Sequence, residues 1–288
     1  MHINNSPIIY KKGRLMILYK YLPSMRIDVI ENLHIRFTQL SSLNDPFEMY
    51  HCFDSSEIIE DVFNQAVNKA HELWFSLSDK EKLEEYDSYQ NCLNKLNNRH
   101  SNAEENMSMT KNLSDELNDK IGILSLSECF SNPLMWSHYA DQYRGFVIGF
   151  NSDHEWFKRP DAFGDPTEII KVKYLEKKSV ISPNSASINQ ILGEKSKHWE
   201  YEKEYRLTSN FSEIKKHPLS KPCLDEFGNK IFLIKIPLDV IKCIYLGPRI
   251  DINTENKIIE IVQRNGIVCD LFKGYFHDYS IKFELISA

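Results

Sequence analysis

Residues 121–150, IGILSLSECFSNPLMWSHYADQYRGFVIGF, carry the pattern that sets the fold class. Ile121 to Glu128, IGILSLSE, read as a strand. Pro133, at a position where the missing N–H is no loss, opens a helical run, PLMWSHYADQYR. GFVIGF, Gly145 to Phe150, is the unbroken apolar run of a strand covered on both faces. Strand, helix and strand in such close succession place the chain among folds that mix sheet and helix.

On the N-terminal side, LMILYKYL (Leu15 to Leu22) and LHIRFTQL (Leu33 to Leu40) both read as strands, with one short helical turn expected in PSMRIDVIEN between them. SSLNDPFE then gathers turn-forming Ser, Asn, Asp and Pro. From about residue 55 to 120 the apolar residues Ile58, Ile59, Val62, Phe63, Ala66, Val67, Ala70, Leu73 and Trp74 fall at helical spacing, which predicts an insertion of two or three helices. Its tail, Asn97 to Lys120, is expected to be the most mobile stretch.

On the C-terminal side, IIKVKYLE reads as a strand and Ala186 to Lys197 as a helix. EKEYRLTSN, KIFLIKIP and CIYLGPRI read as three further strands. The helix ENKIIEIVQRN is stopped by Gly266, and IVCDLF and YSIKFELI close the chain as strands. With no internal repeat, about eight to ten strands and five or six helices describe an α+β domain spanning 1–288, with a mixed, mostly antiparallel sheet and flanking helices.

A domain of 288 residues buries roughly three quarters of its unfolded surface, so a large core is available. Hydrophobic residues at 42% and charged residues at 26% exclude general disorder. MHINNSPIIYKKGRLMILYKY lacks the continuous apolar centre of a signal peptide, and no later run is long and apolar enough for a membrane span. A cytoplasmic protein with no membrane partner is expected. The six cysteines form no C-x-x-C pair, which points to reduced thiols and no metal centre. A net charge of −6 gives no general attraction to nucleic acid. Lys171, Lys173, Lys177, Lys178, Lys195 and Lys197 nevertheless bracket one segment and are able to line a local basic groove.

That segment holds the sharpest chemical feature, WEYEKEYRL (199–207), in which Glu202 and Glu204 fall on one face of a strand. Facing a pocket, one carboxylate of such a pair stays ionised while the other takes a proton; facing solvent, the pair protects a sheet edge. Asn44 and Asp45 in NDPFE form either a turn bonded to its own backbone or the polar mouth of a pocket. Ser125, Ser127, Trp136, His138 and Tyr139 follow in ILSLSECFSNPLMWSHY, where a histidine beside aromatics is most often a hydrogen-bonded boundary residue. No G-x-S-x-G, Walker, G-x-G-x-x-G or H-E-x-x-H motif is present.

Taken in order, LYKY, IRFTQLSSLNDPFE, ILSLSECFSNPLMWSHYADQYRGFVIGF, VKYLEKK, HWEYEKEYRL and IYLGPRI resemble the bacterial domain-of-unknown-function family 2971, which itself looks like a divergent branch of the ADP-ribosyltransferases. The resemblance implies a split sheet of ADP-ribosyltransferase type and a site built on three strand-borne positions. Lys20, flanked by Tyr19 and Tyr21, falls at the first, where His or Arg is usual, with Arg36 as a substitute. Ser125 or Ser127 falls at the second, and Glu204 with Glu202 at the third.

The chemistry implied is cleavage of NAD, used as substrate. Glu204 would stabilise oxocarbenium charge on the ribose, and Glu202 would activate the acceptor. Tyr21, Trp136 or Tyr139 would stack on the dinucleotide, and Asn44 and His138 would hydrogen-bond it. The expected activity is mono-ADP-ribosylation of a macromolecule, nucleic acid and perhaps RNA before protein, by a toxin or anti-phage effector with an antitoxin as partner. A non-catalytic nucleotide- or partner-binding module and a NAD glycohydrolase are the alternatives.

Overall fold

The computed structural model describes residues 16–49, 52–53, 56–100, 111–112, 115–158, 169–181, 188–211, 220–224 and 230–287. The strands are β1 (Ile17–Leu22), β2 (His34–Gln39), β3 (Cys52–Phe53), β4 (Ile121–Ser127), β5 (Phe146–Asn151), β6 (Ile170–Lys171), β7 (Lys173–Leu175), β8 (Val180–Ile181), β9 (Glu194–Ser196), β10 (Glu204–Asn210), β11 (Ser220–Leu224), β12 (Lys230–Lys235), β13 (Ile241–Leu246), β14 (Asp270–His277) and β15 (Ser280–Ser287). The helices are α1 (Asp28–Asn32), α2 (Ser56–Ser76), α3 (Asp79–His100), α4 (Pro133–Tyr139), α5 (Ile188–Leu192) and α6 (Ile252–Arg264). Eleven strands form one mixed sheet in the order β11-β12-β2-β4-β1-β5-β13-β14-β15, with β10 beside β4 and β6 beside β10.

The sheet divides at β4. On one side its residues pair with β10 along their length, from Ile121 opposite Asn210 to Ser127 opposite Glu204. On the other side β2 takes only the start, with Thr38 opposite Ile123, and β1 only the end, with Tyr19 opposite Ser127. Ser125 lies between these registers, and a carbonyl opened by diverging strands requires another donor. Lys20 supplies it, its Nζ lying 3.0 Å from the Ser125 oxygen. Lys20 shares a strand face with Leu18 and Leu22, which belong to the main core.

That core covers one face of the sheet, where Leu124, Leu126, Ile148 and Leu207 meet Val29 and Ile30 of α1 and Ile258 and Ile261 of α6. Parallel strands require a long crossover, and α6 provides it between β13 and β14. Asp251 caps its N-terminus, accepting from the Asn253 and Thr254 amides at 3.0 Å. Asn265, just past its end, donates to the Ile30 and Glu31 carbonyls of α1 at 2.9 and 3.0 Å. On the opposite face Tyr21, Trp136, Val147 and Tyr245 form a smaller aromatic core.

The helical spacing read after residue 55 corresponds to the hairpin of α2 and α3, joined by stacked Trp74 and Tyr89 rings 4.4 Å apart. Ser78 and Glu81 form a capping box at the start of α3. Of the stretch expected to be most mobile, residues 101–110 and 113–114 lie outside the described residues, and Asn97 to His100 are helical. Among the described residues no helix is long and apolar enough to cross a membrane.

Three sequence expectations are corrected. PLMWSHYADQYR is not helical throughout: α4 ends at Tyr139, and Asp141, Gln142 and Tyr143 adopt left-handed φ of 49°, 51° and 72°. The reversal brings the Gly145 amide to the Ala140 carbonyl at 2.8 Å and the Tyr143 carbonyl to the Arg249 amide at 3.0 Å. Gly145 is required there, since a Cβ would lie 2.1 Å from the Leu22 oxygen. Within Ala186 to Lys197, residues 186–187 lie outside the described residues, and α5 stops at Leu192 because β9 pairs in parallel with β7. IIKVKYLE is two short strands, β6 on β10 and β7 on β9.

Gly149 pairs with Tyr19, and a Cβ there would meet the Cys243 sulfur at 2.4 Å and Tyr19 at 3.0 Å. Gly149→Ala is therefore expected to destabilise the protein by about 1–3 kcal/mol, as overpacking does. In urea unfolding, Cys243→Ala in the same chain should recover part of that loss, so the two changes are non-additive.

Candidate functional site

The division of the sheet opens a cavity of about 240 Å³ lined by β1, β2, β4, the loop from Ser42 to Glu48, and Lys195, Glu202 and Glu204. Glu202 is not on a strand. It ends a 3-10 turn, Lys197–Glu202, and Lys203 follows in a left-handed conformation with φ of 46° before β10 begins at Glu204. The turn rather than strand alternation brings both carboxylates to the cavity, while Lys203 is exposed and faces Glu128 at 3.8 Å.

Both carboxylates meet Lys195, whose Nζ lies 2.7 Å from Glu202 and 3.3 Å from Glu204. A third, Glu48, stands 3.3 Å from the same ammonium. Arg206, two residues after Glu204 on β10, grips that carboxylate with Nε at 2.9 Å and Nη2 at 3.0 Å. Its Nη2 also pairs with Glu48, and its Nη1 donates to the Leu192 carbonyl at 2.8 Å. All five charged residues are between 1% and 6% exposed. Glu202 is held further by Tyr139, whose hydroxyl donates to its Oε1 and accepts from the Asn44 amide.

These contacts separate the two carboxylates electrostatically. Burial opposes ionisation of Glu204, but Arg206 and Lys195 outweigh it and hold the carboxyl at about 2. For Glu202 burial prevails, and with the charge of Glu204 it raises the carboxyl above its ordinary value despite Lys195. Burial also works against charge on Lys195, yet the three carboxylates raise it and keep it cationic. Lys20 behaves oppositely: burial lowers it to about 8, with Arg26 and Arg36 adding to the fall and Glu204 and Glu202 resisting it.

Of the sequence-predicted residues, Lys20, Tyr19, Tyr21, Asn44, Ser125, Ser127, Tyr139, Glu202 and Glu204 line the cavity. Tyr21 is anchored by its hydroxyl on the Cys129 carbonyl at 2.8 Å, and Ser127 donates to the Glu202 carbonyl at 2.6 Å. Arg36 lies on β2 outside the lining, near enough for its charge to act on Lys20. Trp136 cannot stack on a ligand in the cavity, because it is fully buried in the aromatic core with its indole donating to Phe130. His138 faces away, to the Tyr201 hydroxyl at 2.9 Å, because it lies one residue from Tyr139 on a helix. Asp45 keeps its turn role, its carboxylate accepting from the Phe47 amide at 3.0 Å.

Sequence reasoning assigned no catalytic or NAD-binding role to Glu48, Lys195 or Arg206, and gave Lys195 only a place in a basic groove. The signal for Arg206 was its spacing of two from Glu204, and that for Glu48 its place in NDPFE, three residues after Asp45. Lys195 belongs inside the protein rather than to a surface basic groove. Lys197 and Lys171 pair with Glu200 and Glu128 at 3.1 and 3.3 Å.

Residues 135–207, from α4 to the first half of β10, match a family model described as "Protein of unknown function (DUF2971)". The match supports the resemblance to that family and spans Tyr139, Lys195, Glu202, Glu204 and Arg206. No curated protein and no solved structure matches the chain.

A carboxyl held below its ordinary value contributes stability above that value, and loses it as pH falls towards the folded value. For Glu204 the window runs from the ordinary 4.5 down to about 2. Glu204→Gln, which leaves Arg206 under-compensated, is expected to cost about 3–5 kcal/mol near neutral pH. Urea unfolding of wild type and variant across this range should show the gap closing as the solution is acidified.

Proposed function

We propose that the cavity binds the nicotinamide riboside end of NAD and that the protein transfers ADP-ribose to a macromolecular acceptor. The observation that carries this reading is the charge balance of the cavity floor. Three buried carboxylates, Glu48, Glu202 and Glu204, meet two cations that do not release their protons, Lys195 and Arg206. With Glu202 ionised, the five groups carry one net negative charge at the place where departure of nicotinamide makes the ribose cationic. A fixed anion on buried side chains stabilises that transition state more than the ground state.

The split between the carboxylates gives each a role. Glu204, locked as an anion, supplies field and holds Arg206 in place. Glu202, whose carboxyl is raised and bonded to Tyr139, is suited to take the proton of the attacking acceptor. Lys20 and Asn44 line the same cavity as donors. At about 240 Å³ the cavity is smaller than the roughly 300–1,000 Å³ of most small-molecule sites, so it matches one ring and its sugar rather than a whole dinucleotide.

Purified protein and its Glu202→Gln variant, incubated with NAD labelled in the adenylate half and a bacterial lysate, test the reading. Wild type is expected to release nicotinamide and to pass label to RNA, DNA or protein. The variant loses the Glu202 partner of Lys195 and is expected to melt lower; compared at a temperature where circular dichroism shows both proteins folded, it should be slower by about 10²–10⁴-fold. Nicotinamide release without transfer would make the protein a glycohydrolase, and intact NAD in both samples with binding seen by calorimetry would make it a binding module.

A further inference from the structure

We infer that the same cavity is a covalent binding site for a small aldehyde, which Lys20 captures as an imine. The cavity holds two lysines in opposite surroundings. Lys195 has three carboxylates within 3.3 Å and is committed as a cation. Lys20 has no carboxylate in ion-pair range among the described residues, and its ammonium donates to a neutral carbonyl, that of Ser125 at 3.0 Å. A carbonyl accepts equally well from a neutral amine, so this contact survives loss of the proton.

The charged groups that face Lys20 are Glu204 on β10, Glu202 in the turn before it, Arg26 in the turn after β1, and Arg36 on β2. Arg26 is itself paired with Asp28 at 2.9 Å. Burial and the two guanidiniums disfavour the ammonium, and the amine is half deprotonated near pH 8. A lysine desolvated beside other cations is an activated nucleophile for carbonyl carbon.

In the step inferred, the Nζ lone pair attacks the aldehyde carbon, the carbonyl oxygen takes a proton and the nitrogen gives one up, leaving a neutral carbinolamine whose remaining N–H proton is lost as its hydroxyl departs. That hydroxyl leaves as water with a second proton, and a carbon–nitrogen double bond remains, so one amine and one aldehyde yield one imine and one water. Glu202, with its raised carboxyl, is the group in the cavity able to carry these protons. Capture of an aldehyde by Lys20 requires no cleavage of NAD. If Lys20 only pins the Ser125 carbonyl at the split, its amine has no special reactivity.

The test uses glycolaldehyde with sodium cyanoborohydride on wild-type protein at pH 7, followed by peptide mapping. Lowering a lysine from 10.5 to about 8 raises its free-amine fraction by roughly 300-fold, since each unit is a factor of ten. The Lys20 peptide is expected to be alkylated first, about tenfold or more ahead of any surface lysine, with a rate midpoint near pH 8. Arg36→Gln should move that midpoint up, Glu202→Gln down, and Lys20→Arg should abolish the early label. Alkylation spread over surface lysines with Lys20 no faster, or a Lys20 rate that follows the ordinary lysine titration, would overturn the inference. Both outcomes are read on wild-type protein, so a variant that fails to fold leaves the result intact.

Discussion

Glu48, Glu202, Glu204, Lys195 and Arg206 are withdrawn from water together, and none of them can be withdrawn alone. Each buried ion loses several kcal/mol of hydration, which only close, well-oriented partners offset. The requirement ties together parts of the chain far apart in sequence. Arg206 reaches across 158 positions to Glu48. The loop that follows β2, the short strand β9 and the start of β10 are therefore held in one arrangement by the need to match these charges.

The backbone around the cluster follows from the same constraint. Lys195 reaches its carboxylates because β9 interrupts what local spacing reads as a helix. Glu202 reaches Lys195 because Lys203 takes a left-handed conformation, which costs a non-glycine residue about 1–3 kcal/mol and persists only where the surroundings over-determine it. In the same cavity the strands β1 and β2 part from β4, and the carbonyl they expose is answered by Lys20. The cavity is thus the space left where sheet pairing stops and charge pairing takes over.

A cavity with one carboxylate locked as an anion, a second with a raised carboxyl, one lysine locked as a cation and one lysine close to neutrality holds four distinct protonation behaviours. Residue type alone cannot produce this range, since glutamates ionise near one value and lysines near another. Neighbours and burial produce it. Glu204 has Arg206 beside it on the strand, whereas Glu202 has Tyr139 and a share of Lys195.

The sequence by itself determined the strands β1, β2, β4, β5, β10, β12 and β13 and the helix α6, because each is a short apolar run or an apolar pattern at strand or helix spacing, bounded by turn residues. Strand alternation in WEYEKEYRL marked Glu202 and Glu204 and turn chemistry marked Asn44, whereas Lys20 and the site roles of Ser125, Ser127 and Tyr139 entered through the family resemblance. The tertiary structure decided the rest. It ended α4 at Tyr139, because Gly145 must pass close beneath the Leu22 carbonyl to enter β5. It placed Trp136 in the core and Tyr139 at the cavity, although both lie on the same short helix. It turned Lys195 inward, a choice no local pattern records, because the charges that hold a buried lysine come from Glu48, Glu202 and Glu204, and at least one of these is supplied by a distant part of the chain.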